Sequence, residues 1–381
     1  MANPQKGISV VVVCSSLQQG RDGVGDYCRR LAANLLQVGH RAAIIALNDR
    51  FTNEVWQGVQ HFSGYDIPVM RLPAQSLTVT ATHAQAATWI SEQQPQWLSL
   101  QFVPFGFHPK GLKIGLGTLL SKLNQGARWH VMFHELWVGM DVEGPFKHRL
   151  WGWLQRRLIS LMLNKLDPVA VSTQTLLYKK YLAQMGYDAT VLPLFSNIIN
   201  INKELRPQVN LKDKPYLTLA VFGSIHHSDM VRSFLIEVAD FGRANNQKVN
   251  INLLGRCGNE KLQWEKYALE AGINVSEIGE QDPEMISAYL HNADIGISTT
   301  PVTLTEKSGS FAALREHGLP VISVSRPWHA HGFPEDILPD DVFYYQNGNF
   351  KDFMNTVTVA VAPRNNADRV AQQFINLLQS N

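Results

Sequence analysis

The chain has few cysteines, almost no surplus charge and no long apolar run. Its three cysteines, Cys14, Cys28 and Cys257, are odd in number and widely spaced, which argues against a disulfide framework or a zinc site. Buried thiols in a reducing compartment are the plain expectation. The 34 basic and 32 acidic residues leave a formal charge of +2. That balance supplies no field suited to a nucleic-acid backbone, so nucleic acid is set aside as a partner. The apolar run after Lys6 is only strand-length, far below the ~20 residues that span a bilayer, and no later run is long enough either. A cytoplasmic protein is expected. Short-period repeats, low-complexity tracts and heptads are also missing.

What remains is a globular composition with alternating strand and helix signals. With 381 residues and 45% apolar side chains, the chain has material for two cores. Ile8 to Cys14 is a β-branched run of the kind found in buried parallel strands. Glycines from Gly20 to Gly25 break it. Tyr27, Leu31, Leu35 and Val38 then recur at helical spacing until Gly39, and Arg41 to Leu47 returns as a strand. This is a βαβ unit. Further strands are expected at Leu98 to Val103, Trp129 to Phe133 and Val169 to Ser172.

Between Leu192 and Pro215 the composition turns to proline and asparagine, the mark of a boundary. A second series follows at Leu217 to Phe222, Val249 to Leu254, Asp294 to Ser298 and Val321 to Val324. The expected organisation is a Rossmann-like domain over 1–197, a linker over 198–215 and a second Rossmann-like domain over 216–365. A C-terminal helix over 366–381 completes the chain.

Gly23, Gly25 and Asp26 sit where a strand gives way to a helix N-terminus. Free backbone amides and the helix dipole favour an anion there, and glycine permits close approach. The loop is not a dinucleotide fingerprint, because Cys28 stands where a third glycine would fall and Asp49 is unremarkable in a turn. A purely structural turn and a ligand-facing loop both stay open.

The segment DGVGDYCRRLAANLLQVGH resembles the first helix region of retaining glycosyltransferases of family four. The resemblance recurs in order at VMFHELW (131–137), LPLFSN (192–197), LLGR (253–256), AYLHNADIGIS (288–298) and EKSGSFAALREHGLPVI (306–322). It implies a GT-B fold, two Rossmann-like doubly wound domains facing a central cleft, with the C-terminal helix crossing back to the first domain and limiting a hinge motion. It also implies hexosyltransferase-like transfer with retention, no metal or other cofactor, and a UDP- or GDP-sugar donor held by the second domain. The acceptor, a glycan, a lipid-linked sugar or a small molecule, would bind the first. No D-x-D motif stands in a candidate donor loop; Asp340-Asp341 is read as a solvated turn.

The candidate catalytic pair is His134 and Glu135, just beyond the carboxyl end of a parallel strand, where doubly wound sheets place ligands. A histidine satisfied by backbone is the alternative. In the second domain Lys307, Ser308, Gly309 and Ser310 precede a helical run and form a candidate diphosphate cradle, with a simple serine N-cap as the alternative. Two departures from the resembled family stand out. Glu306 and Glu316 are separated by nine residues instead of the usual seven, leaving Glu306 as the candidate for sugar hydroxyls and Glu316 as structural. The usual arginine and lysine after the domain's first strand are replaced by Gly223-Ser224-Ile225-His226-His227, so Ser224 and His226 become hydrogen-bond donors and Arg256 a substitute cation.

Lys147 to Leu161 is basic and aromatic. Leu150, Trp153, Leu154 and Leu161 share one helical face, which fits either peripheral contact with the inner face of a membrane or ordinary packing on the sheet. Three functional classes follow: an active glycosyltransferase, a catalytically weakened GT-B protein that binds a nucleotide or sugar, and a nucleotide-sugar epimerase.

Overall fold

Four consecutive valines, Val10–Val13, build the centre of the first sheet, and all four are buried on both faces. The computed structural model describes residues 7–124, 126–202, 210–333, 338–339, 342–357 and 367–381. The chain divides into two units, Met1–Pro193 with Ala367–Asn381, and Leu194–Asn366.

The first unit begins with β1 (Ser9–Cys14), α1 (Gly23–Gln37), β2 (Arg41–Asp49), β3 (Trp56–Phe62) and β4 (Tyr65–Pro73). It continues through α2 (Thr80–Glu92), β5 (Trp97–Phe102), α3 (Pro104–Phe107), α4 (Leu116–Ser121) and β6 (Arg128–Phe133). Then come α5 (Phe146–Leu166), β7 (Ala170–Thr173), α6 (Leu176–Ala183) and β8 (Thr190–Val191). The strand order is β3-β4-β2-β1-β5-β6-β7-β8, parallel except where β3 meets β4. Helix α1 stops because Gly39 takes φ +84°, letting the amides of Gly39 and His40 return to Leu36 and Leu35. The β3–β4 hairpin turns through Ser63 and Gly64, both at positive φ, as a two-residue hairpin requires.

The second unit holds β9 (Tyr216–Phe222), α7 (Val231–Ala244), β10 (Lys248–Leu254), α8 (Lys261–Ala271), β11 (Asn274–Gly279) and α9 (Pro283–Asn292). It ends with β12 (Ile295–Ser298), α10 (Gly309–Glu316), β13 (Val321–Ser323), β14 (Phe343–Tyr344) and α11 (Phe350–Thr356). All its pairings are parallel, in the order β11-β10-β9-β12-β13-β14. Phe234 anchors one face, with ring centroids 5.1 Å from Tyr345 and 5.7 Å from Phe350.

The last helix, α12 (Ala367–Ser380), belongs to the first unit and buries Val370, Phe374 and Leu378 there. Residues 194–197, expected at the end of the first domain, and 198–202, expected as the start of the linker, go with the second unit. The Asn200 side-chain amide donates to the Glu316 carbonyl at 3.3 Å and the Ile201 amide to Ser287 Oγ at 3.3 Å. Pro207, Asp340, Asp341 and Asn366 lie outside the described residues. All three cysteines are free and buried. No helix among the described residues is long and apolar enough to cross a membrane.

Candidate functional site

In the first unit His134 follows β6 directly and is 5% exposed. Its Nε2 lies 2.9 Å from Gln101 Oε1, and its Nδ1 lies 2.8 Å from Gln174 Nε2. An amide oxygen only accepts and an amide nitrogen only donates, so the imidazole carries its proton on Nε2 and has both nitrogens engaged. The Gln101 amide continues to Ser99 Oγ at 2.7 Å, which donates to His130 Nδ1 at 2.8 Å. His130 Nε2 then meets Ser172 Oγ at 2.7 Å. Every donor in this buried chain of side chains points one way. Burial pulls both histidines down to about 3, so both are neutral at physiological pH.

The loop that carries His134 is clamped by the inner side of α5. The Val138 amide donates to Gln155 Oε1 at 2.9 Å, and a Cβ on Gly152 would sit 1.9 Å from the Val138 carbonyl oxygen. Only glycine lets the helix approach the loop this closely. Glu135 is half-buried beside His134.

At the N-terminus of α1, Asp22 caps the helix by accepting from the Gly25 amide at 2.8 Å. Asp26 accepts from the Gly20 amide and pairs with Arg29. A Cβ on Gly25 would lie 2.5 Å from the Ser16 carbonyl oxygen, so this glycine serves the contact between helix and strand loop. Gly23 has open space around it. Burial raises the Asp22 pKa despite its backbone hydrogen bond. Asp49 is fully buried and spent within the fold, taking Arg71 Nε at 2.7 Å, the Leu17 amide at 3.0 Å and Ser16 Oγ at 3.1 Å.

In the second unit, loops after three strands converge. Gly223, at φ +81°, ends β9, and a Cβ there would sit 2.3 Å from Ser310 Oγ at the start of α10. The His226 amide donates to Thr299 Oγ1 at 3.0 Å, beyond β12. Thr300 Oγ1 lies 3.3 Å from Ser308 Oγ, and Ser323 Oγ on β13 donates to the Thr300 carbonyl at 3.2 Å. Ser308 is the N-cap of α10, accepting from the Phe311 amide at 3.3 Å. Gly309 has nothing within 4 Å of where a Cβ would be. Desolvation lowers the His226 pKa, and the nearby charges of Lys307 and Arg326 lower it further. The neutral imidazole is thereby favoured, with both cations within electrostatic reach of it.

The structure thus brings Ser224, His226, Lys307, Ser308, Gly309 and Ser310 together, with Glu306 on the short 3-10 turn that precedes them. Arg256 lies one loop away, 3.6 Å from Glu280 on an exposed edge. Gly23, Gly25, Asp26, His134 and Glu135 belong to the first unit. Sequence reasoning missed Arg326, Thr299 and Thr300, and the two glutamines that hold His134. Arg326 is legible only once β13 is known to lie beside β12.

No known protein family matches the chain, and no curated protein matches it. Solved structures do. A glycosyltransferase from Rickettsia africae superposes with a TM-score of 0.57 at 12% identity, covering 99% of this chain and 97% of that one. A Listeria monocytogenes protein assigned as a UDP-N-acetylglucosamine 2-epimerase gives 0.57 at 10% identity, covering 98% and 96%. The catalytic domain of starch synthase IV from Arabidopsis thaliana, bound to ADP and acarbose, gives 0.52 at 12%, covering 98% and 99%. At these identities the likeness is one of fold, and the fold is GT-B: two Rossmann-like units.

Proposed function

We propose that the chain is a glycosyltransferase whose second unit binds a nucleotide sugar through its diphosphate. The observation that carries this reading is the close approach of the loop after β9 to the start of α10, where a Cβ on Gly223 would meet Ser310 Oγ and the charges of Lys307 and Arg326 act on His226. Two cations and the first amides of a helix suit a pyrophosphate, and they would stabilise its charge as it leaves the sugar. Arg326 and Lys307 stand in for the basic pair that is absent after β9. Glu306 is assigned to sugar hydroxyls. The nucleotide in the starch synthase structure supports the choice of ligand class.

The finer reading is a retaining, metal-independent, hexosyltransferase-like enzyme of family four that uses a UDP- or GDP-sugar. Its acceptor is a glycan, a lipid-linked sugar or a small molecule. His134 offers no lone pair for proton transfer while Gln174 occupies its Nδ1. Its role is therefore to position, and deprotonation of the acceptor falls to the departing phosphate. A cytoplasmic protein that touches a membrane only at its surface fits this reading.

Titration calorimetry with UDP, GDP, ADP and their sugars tests the proposal. Binding of at least one nucleotide, lost in Lys307→Ala/Arg326→Ala, is expected; no binding by any would overturn it. The likeness to the epimerase favours a second reading, which product analysis separates. Free nucleotide with an epimerised sugar, formed without acceptor, would favour the epimerase.

A further inference from the structure

Helix α5 has two unlike sides. Its inner side buries Gly152, Gln155, Ile159, Met162, Leu163 and Leu166. On the outer side Phe146 is 79% exposed, Leu150 60%, Trp153 57%, Leu154 41% and Leu161 62%. At 3.6 residues per turn these five fall within roughly a third of the helix circumference. An apolar stripe of this length on a surface is rare without a partner.

The charges around the stripe are of one sign. Helix α5 carries Lys147, Arg149, Arg156, Arg157 and Lys165 and no acidic residue, although the whole chain is nearly balanced. Lys147 and Lys165 flank the stripe on one side, Arg149 and Arg156 on the other, and Arg157 lies within it. Asp141, Glu143 and Asp167 lie just outside the helix ends.

We propose that this side of α5 is a docking surface for an anionic lipid bilayer, lying parallel to it with the stripe at the headgroup boundary. The stripe excludes a nucleic-acid backbone, which has no use for five large apolar side chains. A two-fold contact between copies would bring the same five cations face to face, which disfavours it. Headgroup phosphates satisfy the flanking cations, and the acyl boundary takes the stripe. Because the inner side of the same helix clamps the His134 loop through Gly152 and Gln155, docking would hold that loop beside the membrane. This inference goes beyond the proposed reaction, and its test needs no turnover.

The test is co-sedimentation of the full chain with vesicles of phosphatidylcholine, with and without phosphatidylglycerol, at low and high salt. Binding is expected to the anionic vesicles alone and to weaken as salt rises. Two surface variants keep the fold intact, as melting curves would verify: Leu150→Ser/Trp153→Ser/Leu161→Ser and Lys147→Glu/Arg157→Glu. Each should lower the bound fraction by about tenfold or more. No binding to anionic vesicles, or binding by either variant as strong as that of the unmodified chain, would overturn the proposal. So would self-association in sedimentation velocity that the apolar variant abolishes, because a second copy would then be the occupant.

Discussion

Helices α1 and α10 both start beyond the carboxyl end of a parallel strand, yet their N-termini are chemically opposite. At α1 the free amides and the positive end of the dipole are answered from within the chain, by Asp22 and Asp26. At α10 the cap is a neutral serine, and the groups nearby are His226, Lys307 and Arg326. The first start repels an anion and the second attracts one. Position in a doubly wound fold therefore marks where a ligand is allowed, and the local charge decides whether a phosphate is welcome. The two glycines differ in the same sense. Gly25 is required by a neighbouring carbonyl, whereas Gly309 faces open space.

The largest test of that contrast removes the cations. Lys307→Ala/Arg326→Ala should weaken nucleotide binding by about 100-fold or more, since each charge-assisted hydrogen bond contributes roughly 1.5–3 kcal/mol. A calorimetric loss below about threefold would break the comparison.

Acid is the second lever. His130 and His134 are held near 3 in the folded chain, below the ~6.5 of an unfolded histidine. The unfolded chain therefore binds more protons below that value. Stability should be level above pH ~6.5 and fall between there and pH ~3, by about 2 kcal/mol for each histidine at pH 5. Urea unfolding of the first unit at pH 7 and pH 5 measures this, and H134Q should remove about half the difference.

Smaller effects separate the glycines. Gly25→Ala should cost about 2 kcal/mol through its contact with the Ser16 carbonyl. Gly309→Ala should leave the melting temperature unchanged or slightly higher, at α10's first turn, and still weaken nucleotide binding. Equal melting temperatures for the two variants would count against the distinction. Asp22→Asn should do least, because asparagine caps as well as aspartate, within about 0.5 kcal/mol. A gain of tenfold in nucleotide affinity from that change would show that α1 also meets the phosphate.

Much of the fold was legible because buried parallel strands announce themselves as β-branched runs. Val10–Val13, Val249 to Leu254 and the stop at Gly39 needed no structure. The β3–β4 hairpin was not, because at the sheet edge β3 alternates exposed and half-buried residues and reads as polar loop. Helix α1 begins at Gly23, ahead of the periodic positions that start at Tyr27, since Gly23 and Gly25 look like a breaker until Asp22 caps them. In the candidate site, Lys307 to Ser310 could be read from the run that precedes a helix. Arg326 could not, because the group its charge acts on, His226, follows β9, and nothing in local spacing records that approach. His134 was visible at a strand end, but the glutamines that occupy both its nitrogens are 33 and 40 residues away.

Helix α12 sets an order of events during synthesis. Its apolar face closes on the first unit, where the Phe374 ring meets His130 edge-on at 5.2 Å. The ribosome makes that face only after all of residues 194–366. The second unit is thus an insertion with its own core, able to fold while the chain is still growing. The first must wait, its buried histidine chain uncovered on one side, until the final turns emerge. A nascent chain stalled before Ala367 should therefore present a protease with a resistant second half and a susceptible first.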